Sequence, residues 1–285
     1  MSTANPVKRA AAIHDISCFG RCSLTVALPI LSAAGIETAV IPTAVLSTHT
    51  GGFDGYTFRD LTEDILPIAE HWKKLGLSFD ALYTGYLGSF LQLDIVGKVF
   101  DMLRGEKTLI MIDPVMADNG QLYAAFSKEF PNGMAQLCRK ADIIVPNLTE
   151  ASLLLSETYE DGPYTRDYIK EKLKKLAELG DSIGTVVLTG VFFKDEPEKL
   201  GAAAFDRSTG TYEFSLTDRI PGYYHGTGDV FASVFLAGLM NERGLSVSLK
   251  KAVDFTAMSI VRTKEAGTDI RFGVNFEAEL GGINS

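Results

Sequence analysis

The chain has 285 residues, of which 46% are hydrophobic and 22% charged, the balance of a soluble globular protein with a sizeable core. A formal net charge of −9 with no Lys/Arg-rich run argues against nucleic acid as a partner. Three cysteines, Cys18, Cys22 and Cys138, give no disulfide framework, no stretch reaches the length of a membrane span, and residues 1–9 lack the apolar core of a signal peptide, so a cytoplasmic protein is expected.

Taken in order, the chain alternates short apolar strands with amphipathic helices. A strand is expected over 10–13 and a helix over 23–34, closed by Gly35. A second strand over 38–45 leads into the polar, glycine-rich loop 47–56, followed by a helix over 61–75. Residues 81–84 form a strand ending in Gly85-Tyr86-Leu87-Gly88, then come a helix over 91–103 and a strand over 108–112 that stops at Asp113-Pro114. The polar loop 116–123 precedes a helix over 126–139, and a strand over 142–145 stops at Pro146. Helices over 150–156 and 166–179, a strand over 185–188 and a hairpin over 200–205 and 211–216 follow. A further helix spans 249–264. Apolar strands alternating with helices indicate one α/β domain, a three-layer α/β/α sandwich around a mostly parallel sheet.

Ligands of such sheets gather beyond the carboxyl ends of the strands. Polar and glycine residues recur there: His14-Asp15, Thr48-His49-Thr50-Gly51, Thr84-Gly85-Tyr86, Asp113, Asn147 and Thr189-Gly190. The most informative stretch is Gly226-Thr227-Gly228-Asp229, which opens an apolar helix bearing Val230, Phe231, Val234, Phe235, Leu236, Leu239 and Met240, with Gly244 as its stop. A glycine turn at a helix start leaves unpaired N–H groups at the positive end of the helix dipole, a site for phosphate. Asp229 at its mouth can take a proton from an attacking hydroxyl, so the turn suggests phosphoryl transfer to an alcohol. The same four residues also read as a tight turn with an Asp N-cap.

Those motifs, with Asp113-Pro114-Val115, Pro146-Asn147-x-x-Glu150 and Val187-Leu188-Thr189-Gly190, run in order along nearly the whole chain. Together they resemble the ribokinase-like superfamily and, within it, the vitamin B6 (pyridoxal/pyridoxamine) kinases. The resemblance implies Asp229 as the base and the amides of Gly226, Thr227 and Gly228 as the anion hole for a transferred γ-phosphoryl group. It also implies Asp15, Leu46, Thr50 and Tyr86 around the pyridine ring. Asp113, Asp118, Tyr123, Asn147, Glu150, Thr189, Gly190 and Thr227 would serve the nucleotide, with Asp113, Asp118 and Glu150 holding metal directly or through water. Loop 116–123 would act as a gate over ATP. ATP and Mg2+ are the implied cofactors, K+ is a cation relatives commonly use near the nucleotide, and a homodimer is the implied assembly.

Two departures from the family pattern stand out. Asp15 occupies a place where many members carry serine; its charge could pair with a protonated pyridine nitrogen or aminomethyl group, so pyridoxamine is expected to serve at least as well as pyridoxal. Val145 replaces a threonine frequent before the Pro-Asn pair. Cys18 and Cys22 read as spectators in the first loop, and His49 as a hydrogen-bonding loop residue. The nearest alternative is a hydroxymethylpyrimidine (phosphate) kinase; a nucleotide-binding module without turnover is the alternative from another class. A dinucleotide dehydrogenase is disfavoured because no Gly-x-Gly-x-x-Gly follows the first strand.

Overall fold

Along the central strands, neighbouring side chains enter different cores. Leu82, Ile110, Ile112, Ile144, Val186 and Leu188 enter one apolar cluster, while Ala81, Tyr83, Met111, Ile143, Val145 and Val187 enter another. This period of two means that both faces of the sheet are covered, and it explains why the strands read as unbroken apolar runs. The computed structural model describes residues 7–284, so most of the amino-terminal segment read as lacking a signal peptide lies outside the described residues.

The elements are, in order, β1 (Arg9–Phe19), α1 (Leu24–Ala33), β2 (Glu37–Thr48), β3 (Phe58–Asp60), α2 (Thr62–Lys74), β4 (Ala81–Thr84), α3 (Phe90–Leu103) and β5 (Leu109–Ile112). They continue with β6 (Ala117–Asp118), β7 (Gln121–Leu122), α4 (Phe130–Cys138), β8 (Ile143–Ile144), α5 (Leu148–Leu154) and α6 (Arg166–Ala177). The last are β9 (Thr185–Phe193), β10 (Glu196–Asp206), β11 (Thr211–Asp218), α7 (Thr227–Met240) and α8 (Leu245–Glu265), with two short 3₁₀ turns after them. Nine strands form one sheet in the order β11-β10-β9-β8-β5-β4-β1-β2-β3. Pairing is parallel from β9 through to β2 and antiparallel at both edges, where β10 and β11 extend one side and β3 the other. One core contains residues of α2 to α6, the other residues of α1, α7 and α8, so the expected three layers are present.

Several boundaries differ from the sequence expectation, each with a local cause. β1 does not end at Ile13: it pairs with β2 as far as Phe19, with a register shift between His14 and Ile16 that sets Asp15 against a bulge of β2 at Thr43 and Ala44. Backbone pairing sustains that extension, so no apolar run announces it. Loop 116–123 contains a β6–β7 hairpin, turned by Asn119 and Gly120 at φ 50° and 75°, the left-handed pair of a tight hairpin turn. β9 continues beyond Thr189-Gly190 to Phe193. Gly190 is the extra residue of a bulge, since Thr189 faces Ala202 and Val191 faces Gly201. Helix α4 begins only at Phe130, with Pro131 in its first turn. Gly244 does not stop α7, which ends at Met240; it caps the start of α8.

Candidate active site

Helix α7 runs through the core and aims its first turn at the carboxyl-end rim. Gly226 precedes it at φ 75°, and a Cβ there would run into the carbonyl oxygen of Arg21. Only glycine meets both conditions. The first intrahelical bond is donated by Val230 to the Gly226 carbonyl, so the amides of Thr227, Gly228 and Asp229 precede the ladder. Above Gly228 the space is open.

Asp229 lies in this first turn and is half-buried, close enough to solvent to meet a substrate. Burial is the main force lifting its carboxyl to about 7, the charge of Asp15 adds to it, and the amide of Ser23 pulls the other way. A carboxylate poised near neutrality beside amides that precede a helical ladder is suited to general-base work.

Asp15 is only 4% exposed, and its Oδ1 has no hydrogen-bond partner. Burial raises its proton affinity, opposed by the hydroxyls of Ser23 and Ser17, the latter at 3.4 Å. Its charge is felt by Tyr86, lifted to about 12 chiefly by burial, and by Cys22, whose buried thiol is pushed well up by burial and then by Asp229 and Asp15. Cys22 is therefore no distant spectator but lies among these acids; Cys18 is exposed on β1. Leu46 is buried on β2 opposite Ser17, and the Tyr86 ring lies 5.5 Å from that of Phe126. Thr50 sits exposed in the loop after β2. His49 anchors that loop: Nε2 lies 2.6 Å from the Arg271 carbonyl, and Nδ1 accepts from the Gly51 amide at 3.1 Å. The His225 ring packs 5.1 Å from that of His49 and faces Gly51, where a Cβ would lie 2.6 Å from it.

On the other flank, Asp113 follows β5 and is buried, with no donor to its carboxyl among the described residues. Burial, then Glu150 and Asp229, raise its proton affinity strongly. Glu150 and Asn147 act as scaffold. Asn147 caps α5 by accepting from the Glu150 amide, while Glu150 Oε2 accepts from the Asn147 amide at 2.8 Å, a reciprocal capping box. Glu150 Oε1 accepts from Met116 at 3.1 Å, and Asn147 Nδ2 donates to the Ala117 carbonyl at 2.8 Å, so both hold the start of the β6–β7 hairpin. Burial lifts Glu150 to about 8 despite those amides. Asp118 accepts from both nitrogens of Asn119 and, at 2.9 Å, from the Tyr223 hydroxyl, which ties the hairpin to the segment before the anion turn. The Tyr123 phenol is pushed up by burial and by Glu150 and Asp118. Thr189 donates its amide to the Pro146 carbonyl, and Gly190 beside it is exposed.

These acids fit a hard cation in one respect: Asp113 offers an unbonded carboxyl among like charges. Among the described residues no three His, Cys, Asp or Glu side chains converge to hold an ion unaided. Magnesium, whose shell is usually finished by phosphate oxygens and water, suits such a partial set.

Two residues absent from the sequence reading belong to the site. Ser23 was legible only as a helix start, yet it lowers the proton affinity of both Asp229 and Asp15. Tyr223 carries no signal in the sequence, because its partner Asp118 lies 105 residues away. His14, left without a role, is fully buried, lacks partners at both ring nitrogens and is pushed down to about 3 by burial.

A sequence profile described as phosphomethylpyrimidine kinase matches residues 30–273. The pyridoxal kinase of Leifsonia xyli subsp. xyli is 26% identical over 261 residues, covering 90% of this chain and 89% of that protein. A candidate phosphomethylpyrimidine kinase from Bacteroides thetaiotaomicron, crystallised with pyridoxal, is 41% identical and superposes with a TM-score of 0.92 over 98% of this chain and 96% of that one. The pyridoxal kinase of Lactobacillus plantarum is 31% identical, with a TM-score of 0.88 over 98% and 97% of the two chains.

Proposed function

The chain belongs to the phosphomethylpyrimidine kinase family, within the ribokinase-like kinases, and we propose that it transfers the γ-phosphoryl group of ATP to the 5′-hydroxymethyl group of a vitamin B6 vitamer. The observation that carries this reading is Asp229: a carboxyl lifted to about 7, set in the first turn of α7 beside amides that precede the helical ladder. Resemblance to B6 kinases supplies the substrate class, since related chains carry that name and one homologous structure was crystallised with pyridoxal.

In this reading Asp229 accepts the proton of the hydroxymethyl group as its oxygen attacks phosphorus. The amides at the start of α7 stabilise charge that develops on the phosphoryl oxygens, and being fixed by the helix they need no reorganisation. Tyr86, Leu46 and Asp15 line the ring side, with Thr50 closing it from the loop after β2. Asp113, Asp118 and Glu150 would hold magnesium, directly or through water, and the ion would supply positive charge against the phosphates. Asn147 and Glu150 place the hairpin carrying Asp118 and Tyr123, and Thr189, Gly190 and Thr227 border the nucleotide. We further propose a single catalytic domain acting as a cytoplasmic homodimer, with K+ near the nucleotide. No helix among the described residues is long and apolar enough to cross a membrane.

The test is ADP formation with ATP and magnesium, in parallel reactions with pyridoxal, pyridoxamine, pyridoxine and hydroxymethylpyrimidine. Turnover with the three vitamers supports the proposal. Turnover with hydroxymethylpyrimidine alone transfers the assignment to the pyrimidine kinases, and absence of turnover with all four leaves the nucleotide-binding module.

A further inference from the structure

Gln92 is a polar side chain in the first turn of α3, only 1% exposed, and its side-chain bonds all reach outside that helix. Its Oε1 accepts from the Gly88 amide at 2.8 Å, and its Nε2 donates to the Thr43 carbonyl at 3.0 Å and to the Thr62 hydroxyl at 2.9 Å. Those partners fix which way the side-chain amide points, because a backbone N–H only donates and a backbone carbonyl only accepts. Ser89, the N-cap, accepts from the Gln92 amide at 3.2 Å, so Ser89-x-x-Gln92 has the sequence form of a capping box. In such a box the glutamine side chain bonds the amide of the cap residue itself. Gln92 instead reaches one residue further back, into the Gly85–Gly88 turn.

That turn carries Tyr86, and both of its ends are pinned. At Gly85 the amide donates to the Ile13 carbonyl at 3.4 Å, and a Cβ would lie 2.5 Å from Nδ1 of the buried His14. At Gly88 the Gln92 oxygen takes the amide, and the Tyr86 ring folds back over this residue, its Cε1 3.5 Å from where a Cβ would sit. The Thr43 carbonyl, the second partner of Gln92, belongs to the β2 bulge set against Asp15, and Leu46 lies further along the same strand. One buried side-chain amide therefore ties the turn bearing Tyr86 to the strand segment beside Asp15.

We infer that Gln92 is a positioning residue for the vitamer ring: it fixes the Gly85–Gly88 turn against β2, so that Tyr86 is presented to the ring in register with Asp15 and Leu46. The inference deepens the proposed vitamer kinase and rests on Tyr86 lining the ring side. A side chain that only stabilised the fold would act on melting, whereas one that places an aromatic face also acts on vitamer affinity, through Tyr86. Among the described residues, Gln92 bonds none of those assigned to the nucleotide, so the ATP side should not respond.

Gln92→Met keeps the length of the side chain and loses its bonds to Gly88, Thr43 and Thr62. Thr62→Val removes one partner and leaves the Gly88 and Thr43 bonds in place, so it is the control for stability alone. Both variants should melt lower. With saturating ATP and the vitamer that wild type uses best, Gln92→Met is expected to raise the vitamer KM about fivefold, the scale of a misplaced aromatic contact. The ATP KM should stay within about twofold and kcat within about threefold, and Thr62→Val should leave the vitamer KM within about twofold. In a Tyr86→Leu background Gln92→Met should add less than about twofold, the mark of two residues acting through one contact. A vitamer KM unmoved by Gln92→Met, a rise of equal size in Thr62→Val, or effects that multiply in the double variant would overturn the inference. If Gln92→Met does not fold, Gln92→Asn, too short to reach Gly88, is read by the same criteria. Hydrogen exchange at the Gly88 amide needs no substrate and should quicken about tenfold in Gln92→Met but not in Thr62→Val. Wild type inactive on every vitamer refutes the proposed function instead; faster Gly88 exchange in Gln92→Met alone then still supports the positioning, and unchanged exchange overturns it.

Discussion

Replacing Asp229 with asparagine should make the protein more stable and nearly inactive at once. An ordinary aspartate titrates at 3.8, whereas Asp229 is lifted to about 7. Between those values the folded chain holds a proton that the unfolded chain has lost, so this group erodes stability as pH rises from about 4 to about 7. Above about 7 the erosion is complete. A separation of three pH units corresponds to about 4 kcal/mol as an upper figure. Asparagine has nearly the same shape and never ionises. Asp229→Asn is therefore expected to melt higher at pH 8, by up to roughly 7 °C for a chain of this length, with the difference vanishing below about pH 4. Loss of the base should lower kcat/KM by roughly 100- to 10,000-fold, about 3–5 kcal/mol of barrier. Wild-type kcat/KM should rise about tenfold per pH unit up to a limb near 7, a limb the variant lacks. Paired melting curves at pH 4 and 8, with an ADP-coupled assay across pH, measure both effects. A variant that melts lower at pH 8, or keeps kcat/KM within tenfold, would refute the reasoning.

Asp15→Ser should lower the pyridoxamine-to-pyridoxal ratio of kcat/KM about tenfold, because the unpartnered Asp15 Oδ1 can take a charge-assisted bond from an ammonium group. An unchanged ratio assigns Asp15 no part in vitamer choice. Tyr223→Phe cuts the tie to Asp118, and the KM for ATP should rise about fivefold, the scale of about 1 kcal/mol, with the vitamer KM unmoved. Equal rises in both constants would contradict a nucleotide-side role. Gly226→Ala meets the Arg21 carbonyl at a positive φ and should cost more than a hundredfold in kcat together with a lower Tm; wild-type turnover would remove the anion turn from the mechanism. Stripping magnesium with EDTA should abolish transfer yet leave pyridoxal binding, read by its absorbance, within twofold. Persistent transfer would exclude the acidic set as a metal site.

The parallel core was legible because burial on two faces forces apolar runs, as in Ile110-Met111-Ile112, and because glycines punctuate the turns. The turn before α7 was legible for a similar reason, since Gly226 answers to a positive φ and a close approach to the Arg21 carbonyl. What escaped depends on backbone pairing or long-range partners. The extension of β1 to Phe19 rests on pairing with β2, and the β6–β7 hairpin rests on Asn119-Gly120 in a stretch otherwise polar. Glu150 shows how chemistry and scaffold overlap: the acid expected near metal also closes a capping box and holds Met116. Ser23 and Tyr223 were hidden because their partners are remote in sequence, and no spacing rule links residue 23 to residue 229.

The most direct measurement is one competition reaction, in which the purified protein, ATP and magnesium meet equal amounts of the three B6 vitamers and hydroxymethylpyrimidine, and the products are resolved by mass spectrometry. The account predicts 5′-phosphates of the vitamers, formed with equimolar ADP and missing when Asp229→Asn replaces wild type. Hydroxymethylpyrimidine phosphate as the sole product, or vitamer phosphates undiminished in that variant, would contradict it.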